Sequence, residues 1–210
     1  MTRPDLPLVA IYADESCLGN GREGDNPGGA GGVVEFVKAS TGELTRWDYW
    51  SSHPATTNNQ MALRSVIDAF NFISRKDKRF RVCFTSDSQY LVKGMNEWVF
   101  GWMARGWRRK GGEIENLALW QEAVEVVRPH KLSWRWVRGH NGHPQNEYAD
   151  SLATRAALQL DTSSALVPSG FDVWLESERA RGREHVPAPF PTSAEFRPSR
   201  PFPLGAPVER

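Results

Sequence analysis

Alternation of apolar and polar residues predicts that the chain begins with a three-stranded antiparallel meander. Residues 8–16 alternate and are rich in Val, Ile and Tyr, which is typical of a half-buried strand. A glycine-rich segment leads to a second predicted strand near 31–38, and the dipeptide Thr41-Gly42 marks the turn to a third near 43–51. These strands should therefore lie side by side in one sheet.

The pattern then changes to a helical period, interrupted by two further strands. Apolar residues recur at helical spacing in four segments, 59–74, 88–104, 115–128 and 146–160. The short runs RVCFTSD and KLSWRWV indicate strands between them. Three hairpin strands followed by helix, strand, helix, helix, strand and helix predict an α/β fold, with a five-stranded mixed sheet flanked by helices.

Beyond Asp161 the composition changes, because eight of the 14 prolines fall between Pro168 and Pro207. We therefore expect a short N-terminal extension over 1–7, one domain over 8–160 and a C-terminal extension over 161–210. Within the extension we predict a short helix near 171–180, followed by a Pro-rich disordered tail.

Composition narrows the class of protein. The formal net charge is +1 over 210 residues, so any surface that binds nucleic acid must be a local patch. Two cysteines fit a reduced cytosolic protein better than a disulfide scaffold. The N-terminus lacks the apolar stretch of a signal peptide, and no segment approaches membrane-spanning length. We predict a cytoplasmic protein with no membrane partner and expect it to be a monomer.

Three aspartates stand out as candidate metal ligands. Asp14 ends the run LVAIYADES, Asp87 ends the strand in RVCFTSDSQY, and Asp150 lies in NEYADSLA. Acids at the ends of buried strands cost desolvation free energy unless a positive charge neutralises them, and oxygen ligands suit magnesium or manganese. A lone aspartate is more often a cap or turn residue, and Asp87 before a helix fits an N-cap. The three together favour a metal site.

Four motifs in one order resemble the type 1 ribonucleases H over residues 8–160. YADESCLGN is similar to the first-strand motif of that family, TTNNQMAL to its first-helix motif, TSDSQY to its fourth strand, and WVRGHNGHPQNEYAD to its last loop and helix. The resemblance implies an RNase H-like fold. It also implies endonucleolytic hydrolysis of the RNA strand of RNA–DNA hybrids with two Mg²⁺ ions, for which Mn²⁺ is a substitute.

The resemblance implies roles for four residues in catalysis. Asp14, Asp87 and Asp150 would bind the metal ions, and His140 in the Gly-rich loop RGHNGHP would assist proton transfer or product release. His143 precedes a proline and is expected to shape the loop. A zinc site formed by the two histidines is disfavoured, because no cysteine or second histidine pair accompanies them.

Ala62 departs from the family pattern, in which a metal-binding glutamate follows the methionine of this motif. Asp68 points to the opposite side of the same predicted helix. Strand alternation turns Glu15 to the other face from Asp14 unless the strand bulges, which makes compensation by Glu15 the less favoured outcome. We therefore expect reduced activity. The alternative is a catalytically impaired module that binds hybrids without cutting them.

A remoter alternative is a DNA nuclease or transposase domain of the same fold, against which the TTNN and GHNGHP segments argue.

The resemblance also implies contacts to a hybrid. Amide side chains would read 2′-hydroxyls or base edges through hydrogen bonds, and these are Asn20, Asn58, Asn59 and Gln89. Thr57 would anchor a phosphate of the DNA strand, although its usual asparagine partner is Gly101 here, and Trp98 would pack against DNA sugars. A basic protrusion would grip DNA phosphates through Arg105, Trp107, Arg108, Arg109 and Lys110.

Overall fold

A mixed sheet of six strands forms the centre of the protein, in a computed structural model that describes residues 6–19, 26–74 and 78–203. Its strands are β1 Leu8–Cys17, β2 Gly28–Val37, β3 Leu44–His53, β4 Arg81–Ser86, β5 Lys131–Trp136 and β6 Val167–Pro168. They lie in the order β5-β4-β1-β2-β3-β6. Strands β1, β2 and β3 form the predicted antiparallel meander, and β1, β4 and β5 run parallel.

The predicted α/β class is confirmed, and the predicted strand number was one too low. The additional strand, β6, has only two residues and pairs with the outer edge of β3. It comes from the C-terminal extension and contains Pro168. A segment this short shows no alternating pattern, and proline is tolerated only where a strand needs no backbone donor.

Within the described part of the chain, six helices flank the sheet: α1 Asn58–Ile73, α2 Gln89–Lys93, α3 Val99–Ala104, α4 Leu117–Val127, α5 Pro144–Gln159 and α6 Phe171–Ala180. The segment 88–104, predicted as one helix, is divided into α2 and α3 by a π-helical turn over Gly94–Trp98. The apolar period continues through that turn, so the sequence pattern alone does not reveal it.

The two faces of the sheet carry different helices. Ile11 and Ala13 of β1 belong to the larger core, which contains α1, α3 and α4. Ala10 and Tyr12 face the opposite way and pack with α5 and α6. Odd-numbered residues of β1 therefore face α1, and even-numbered residues face α5.

Helix α5 lies unusually close to β2. Gly31 pairs with Asp14 of β1, and a Cβ atom at Gly31 would come within 2.6 Å of the Ala153 backbone nitrogen and of the Leu152 Cβ atom. Any side chain at this position would push the helix away from the sheet. The glycine therefore lets α5 bring Asn146 and Asp150 close to the end of β1.

The C-terminal extension packs against the domain. Phe171 and Leu175 of α6 are buried in the smaller core. The residues after α6 lack regular secondary structure, yet Phe196 and Phe202 are buried and the Ser199 N–H donates to the carbonyl of Leu132 on β5. The disorder expected for the tail does not hold for its described part, because aromatic side chains between the prolines supply buried apolar area.

Among residues 6–19, 26–74 and 78–203, no helix combines the length and the apolar composition that a membrane span requires.

Candidate active site

Three carboxyl groups meet where β4 ends and its parallel pairing with β1 stops. The last parallel pair is Ala13–Ser86, so Asp14 and Asp87 follow directly on neighbouring strands. One carboxylate oxygen from each of Asp14, Glu15 and Asp87 lies within 4.8 Å of the others. We call these three residues together with Asp150 the acidic edge.

Glu15 joins this group although the strand does not bulge. Its pairing with Ala30 continues the regular register, so Glu15 does face away from Asp14, as alternation predicts. The carboxylate of Glu15 nevertheless lies beside those of Asp14 and Asp87, although the sequence made compensation by this residue the less favoured outcome. Asp87 lies beyond the end of β4 and is reached from both faces of the sheet. Moreover, Glu15 faces the side of α1, from which a glutamate at position 62 would come.

Ala62 itself is a fully buried residue of the core formed with α1. Its small apolar side chain fits that environment, and it offers no ligand atom. Position 62 thus contributes to packing, and a carboxylate on the same face of the sheet belongs to Glu15 of β1.

Asn146 holds Asp14 in place and was not singled out from the sequence. Its Nδ2 atom donates to Asp14 Oδ2 at 3.0 Å and to the Ala13 carbonyl at 3.3 Å, while the Glu15 backbone N–H donates to Asp14 Oδ1 at 2.7 Å. A signal was present in NEYAD, because Asn146 and Asp150 are four residues apart and share one face of a helix.

Asp150 reaches the acidic edge from α5 and is half-buried. Burial raises the pKa of its carboxyl group; His140 opposes that shift, and the negative charge of Asp87 adds to it. Burial also raises the pKa of Asp87, and His140 again acts in the opposite direction. His140 is exposed and has a φ of 50°, on a loop between β5 and α5. Asp150 and His140 are therefore electrostatic neighbours of Asp87.

Burial and mutual repulsion raise the pKa values of the carboxyl groups in the acidic edge, which disfavours their full ionisation. Burial, followed by the charges of Asp87, Glu15 and Asp150, raises the pKa of Asp14 to about 9. Burial and then the charge of Asp87 raise the pKa of Glu15 to about 8, against a hydrogen bond from Ser88. A cation would relieve both effects. A donor set made only of carboxylate oxygens suits hard divalent ions such as Mg²⁺.

The loop that carries His140 packs directly onto Asp87. A Cβ atom at Gly139 would lie 2.1 Å from Asp87 Oδ2, so only glycine allows this approach. Trp136 Nε1 donates to the Asp87 carbonyl at 2.9 Å. His143 caps α5 by accepting from the Asn146 N–H at 3.4 Å, and its ring lies 5.3 Å from that of Tyr12. Its contacts are those of a structural residue.

The described residues expected to contact a hybrid through these elements lie at the N-terminal ends of α1 and α2 and in the π-helical turn. Thr57 is the N-cap of α1 and accepts from the Gln60 N–H at 3.3 Å, with Asn58 and Asn59 opening the helix. Gln89 is the exposed first residue of α2. Trp98 is half-buried, with its ring 5.8 Å from that of Tyr90. Asn20 lies outside the described residues.

The basic segment after α3 exposes its four cations. These are Arg105, Arg108, Arg109 and Lys110, whereas Trp107 is half-buried against the larger core. A Cβ atom at Gly101 would lie 3.2 Å from Arg105 Nη2. A guanidinium group therefore covers the position at which the resemblance leads one to expect an asparagine.

Comparisons with known proteins agree with this geometry. A family model described as RNase H matches residues 7–158. The Ribonuclease H of Cupriavidus metallidurans is 41% identical over 155 residues, which cover 73% of this chain and 98% of that protein. The Ribonuclease H of Cupriavidus necator is 44% identical over 149 residues, covering 70% and 93%. A crystal structure of LC9-RNase H1, described as a type 1 RNase H with the type 2 active-site motif, is 55% identical with a TM-score of 0.91 and full coverage of both chains.

Proposed function

Because the chain belongs to the RNase H family, and is a ribonuclease by that membership, we propose that it cuts the RNA strand of RNA–DNA hybrids with the help of divalent ions. The observation that carries this proposal is the position of Glu15. Its carboxylate lies with those of Asp14 and Asp87. We propose that it compensates for the absence of a carboxylate at Ala62.

Asp14, Glu15, Asp87 and Asp150 are the proposed ligands of two Mg²⁺ ions, with Mn²⁺ as a substitute. When bound, such ions activate a water molecule for attack on phosphorus and stabilise the leaving oxygen. Asn146 fixes the orientation of Asp14 through its amide N–H, and Ser88 donates to Glu15. Ligands held in one orientation would favour binding of the ions.

His140 is proposed to move a proton between the reacting groups and solvent. It lies on an exposed loop whose backbone contacts Asp87 through Gly139, and its charge acts on both Asp87 and Asp150. An imidazole can accept and donate a proton near neutral pH. The products would carry a 5′-phosphate and a 3′-hydroxyl group.

LC9-RNase H1 supports a changed ligand set. It is a type 1 RNase H described as having the type 2 active-site motif, and it matches this chain over its full length. A type 1 enzyme with an altered set of active-site residues is thus known. In this chain the alteration is the pair Glu15 and Ala62.

Substrate binding is proposed to use the residues around α1, α2 and the basic segment. Amide groups suit the 2′-hydroxyls of the RNA strand in its shallow minor groove, and these are Asn20, Asn58, Asn59 and Gln89. Thr57, Trp98 and Trp107 with the cations at Arg105, Arg108, Arg109 and Lys110 are proposed to contact the DNA strand. Exposed cations release counterions when they bind phosphates, which favours association.

Cleavage of a labelled hybrid tests the proposal. The wild type, Asp87→Asn, Glu15→Gln and the control Glu43→Gln are incubated with Mg²⁺ or Mn²⁺. Glu43 is exposed and paired with Lys38 at 3.0 Å, so its loss should leave the rate unchanged. We expect metal-dependent cleavage of the RNA strand, reduced more than about 100-fold by Asp87→Asn and by Glu15→Gln, because each removes a direct ligand.

Two results would contradict the proposal in different ways. Hybrid binding without cleavage in either metal identifies the catalytically impaired module. Full activity of Glu15→Gln shows that the enzyme works without the carboxylate of β1, and it removes Glu15 from the ligand set.

A further inference from the structure

A buried glutamate at the end of α6 holds two exposed arginines. Glu178 has a side chain that is only 4% exposed, and its two carboxylate oxygens each accept from one guanidinium. The distances to Arg181 Nη1 and Arg183 Nη1 are both 2.8 Å, while the two arginine side chains are 67% and 66% exposed. We call Glu178, Arg181 and Arg183 the arginine fork.

The backbone after α6 fixes the direction of both arginines. The N–H groups of Arg181 and Arg183 donate to the Glu178 carbonyl at 3.0 Å, and Gly182 between them has a φ of 78°. This left-handed residue reverses the chain at the helix end. Both guanidinium groups consequently return to the same side, toward the carboxylate of Glu178.

The arginine fork borders the acidic edge. A polar cleft of about 450 Å³ has His140 and Asp150 in one wall and Arg181 and Arg183 in another, with Glu178 among its lining residues. The cleft therefore connects the C-terminal extension with the proposed metal site. The extension contributes the cations Arg181 and Arg183 to this cleft, whereas the domain contributes acids such as Asp150.

A chain of contacts holds the fork relative to the loop of His140. His185 Nε2 lies 3.7 Å from carboxylate oxygens of both Glu178 and Glu147. Glu147 accepts from the Gly142 N–H at 2.7 Å, within that loop. The fork is thus fixed to the same elements that position His140 and Asp150.

Stabilisation of the helix end does not explain this arrangement. Exposed ion pairs contribute little to stability, whereas a buried carboxylate costs desolvation free energy. In the fork, one buried acid directs two cations whose outer N–H groups remain available. A guanidinium has five N–H donors in a planar array, and this geometry matches the oxygens of a phosphate.

We propose that Arg181 and Arg183 bind a phosphate of the RNA strand beside the bond that is cut, so that the C-terminal extension completes the substrate site. This inference rests on the proposed function, because the strand that crosses Asp150 and His140 is then the RNA strand. Its negative phosphates are repelled by the acids around the metal site, and the fork offsets that repulsion at the adjoining phosphate.

Kinetics on matched arginine variants test the inference. Arg181→Gln, Arg183→Gln and the double variant are compared with Arg179→Gln. Arg179 is an exposed arginine in the last turn of α6 and does not line the cleft. We expect the double variant to raise KM about tenfold with a smaller change in kcat, and to lower the salt dependence of binding by about one unit of slope for each arginine replaced. Arg179→Gln should behave as the wild type.

Hybrid binding measured in an Asp87→Asn background separates this inference from the proposed function. Fluorescence anisotropy needs no cleavage, so it reports on the fork even if the chain proves inactive. One hybrid carries a single uncharged methylphosphonate linkage next to the cleavage position. The Asp87→Asn parent should bind this hybrid more weakly than the normal hybrid. The protein that also carries both arginine substitutions should bind the two hybrids equally well.

The inference is overturned if the double variant binds like the parent. It is also overturned if its melting temperature falls while KM and the salt slope stay unchanged, since that result assigns the fork a purely structural role. If Arg179→Gln weakened hybrid binding equally, the effect would come from the net charge of the protein and not from the arginine fork. That result would also contradict the inference.

Discussion

Among the residues that the structure describes, buried or partly buried acids lie in two regions that differ in the partners of the carboxyl groups. On the side of α6, Glu35 is fully buried and accepts from Arg46 Nε at 2.7 Å, Asp48 accepts from Tyr148 and Gly170, and Glu178 binds two arginines. At the acidic edge, Asp14 and Glu15 receive hydrogen bonds from N–H and hydroxyl groups but lie beside further acids.

This difference separates acids that stabilise the fold from acids that form the proposed active site. An acid that finds its cation or donors within the chain has its desolvation cost offset on folding, so its contribution is to structure. The carboxyl groups of the acidic edge repel one another, so a comparable balance requires protons or the proposed metal ions from solution. The same residue types therefore serve different purposes, and the partners decide which.

The largest expected effect comes from breaking a compensated pair. Arg46→Met should lower the free energy of unfolding by about 3 kcal/mol, because it leaves the Glu35 carboxylate buried without its cation. Urea unfolding measures this loss. Cleavage by the folded protein should stay unchanged, since the pair lies outside the acidic edge.

The double variant Glu35→Gln with Arg46→Met is the matched control, because it removes the buried charge as well. It should recover part of the lost stability. A single variant that loses less than about 1 kcal/mol, or one that loses activity in the folded state, would contradict the distinction between scaffold and site.

The sequence sufficed for most of the fold because its elements have strong periods. The alternation in 8–16 and the apolar stripe of α1 reflect burial on one side, which the chain must satisfy in any structure. Strand β6 and the packing of 186–203 could not be read in this way. They depend on a few contacts, such as Phe202 stacking on Phe100 at 5.0 Å, that are distant in sequence.

The site was harder to predict because the family motif places a carboxylate at position 62, whereas the structure has a carboxylate at Glu15 instead. The order of motifs located Asp14, Asp87 and Asp150, which the structure brings to one edge. The alternation of side chains along β1 correctly predicted that Glu15 and Asp14 point to opposite faces of the sheet. It did not reveal that Asp87, beyond the end of β4, is reached from that other face too. Such a convergence depends on where neighbouring strands stop.

The next largest expected effect concerns the acids of the acidic edge and the dependence of the free energy of unfolding on pH. In chelator, the free energy of unfolding should fall by about 1–2 kcal/mol between about pH 8 and 9. Asp14 and Glu15 have folded pKa values raised to about 9 and 8, so the folded state holds protons that the unfolded state has already released. Stability present at low pH is therefore lost as pH rises through these values.

Saturating Mg²⁺ should remove this decline, because ions bind the ionised carboxylates of the folded state. The window lies above pH 7 because burial lowers the pKa of His130 to about 4, so that this residue contributes an opposing slope between about pH 4 and 6.5. Urea unfolding at several pH values is the measurement. A stability that stays level or rises in chelator over this range would show that the acidic edge is compensated within the chain.

The smallest expected effect is that of restoring the family residue, and it decides whether Glu15 has replaced it. With Glu15 present, Ala62→Glu adds a further acid to a region that already has its carboxylates. We therefore expect kcat to change by less than about threefold. In the Glu15→Gln background, the same substitution should restore a measurable part of the lost activity, because it supplies a carboxylate from the same face of the sheet. Steady-state cleavage of a hybrid distinguishes the two backgrounds, and melting temperatures check that the core tolerates the longer side chain. A gain of more than about tenfold in the presence of Glu15 would mean that a ligand position had stood empty, and the compensation would then be refuted.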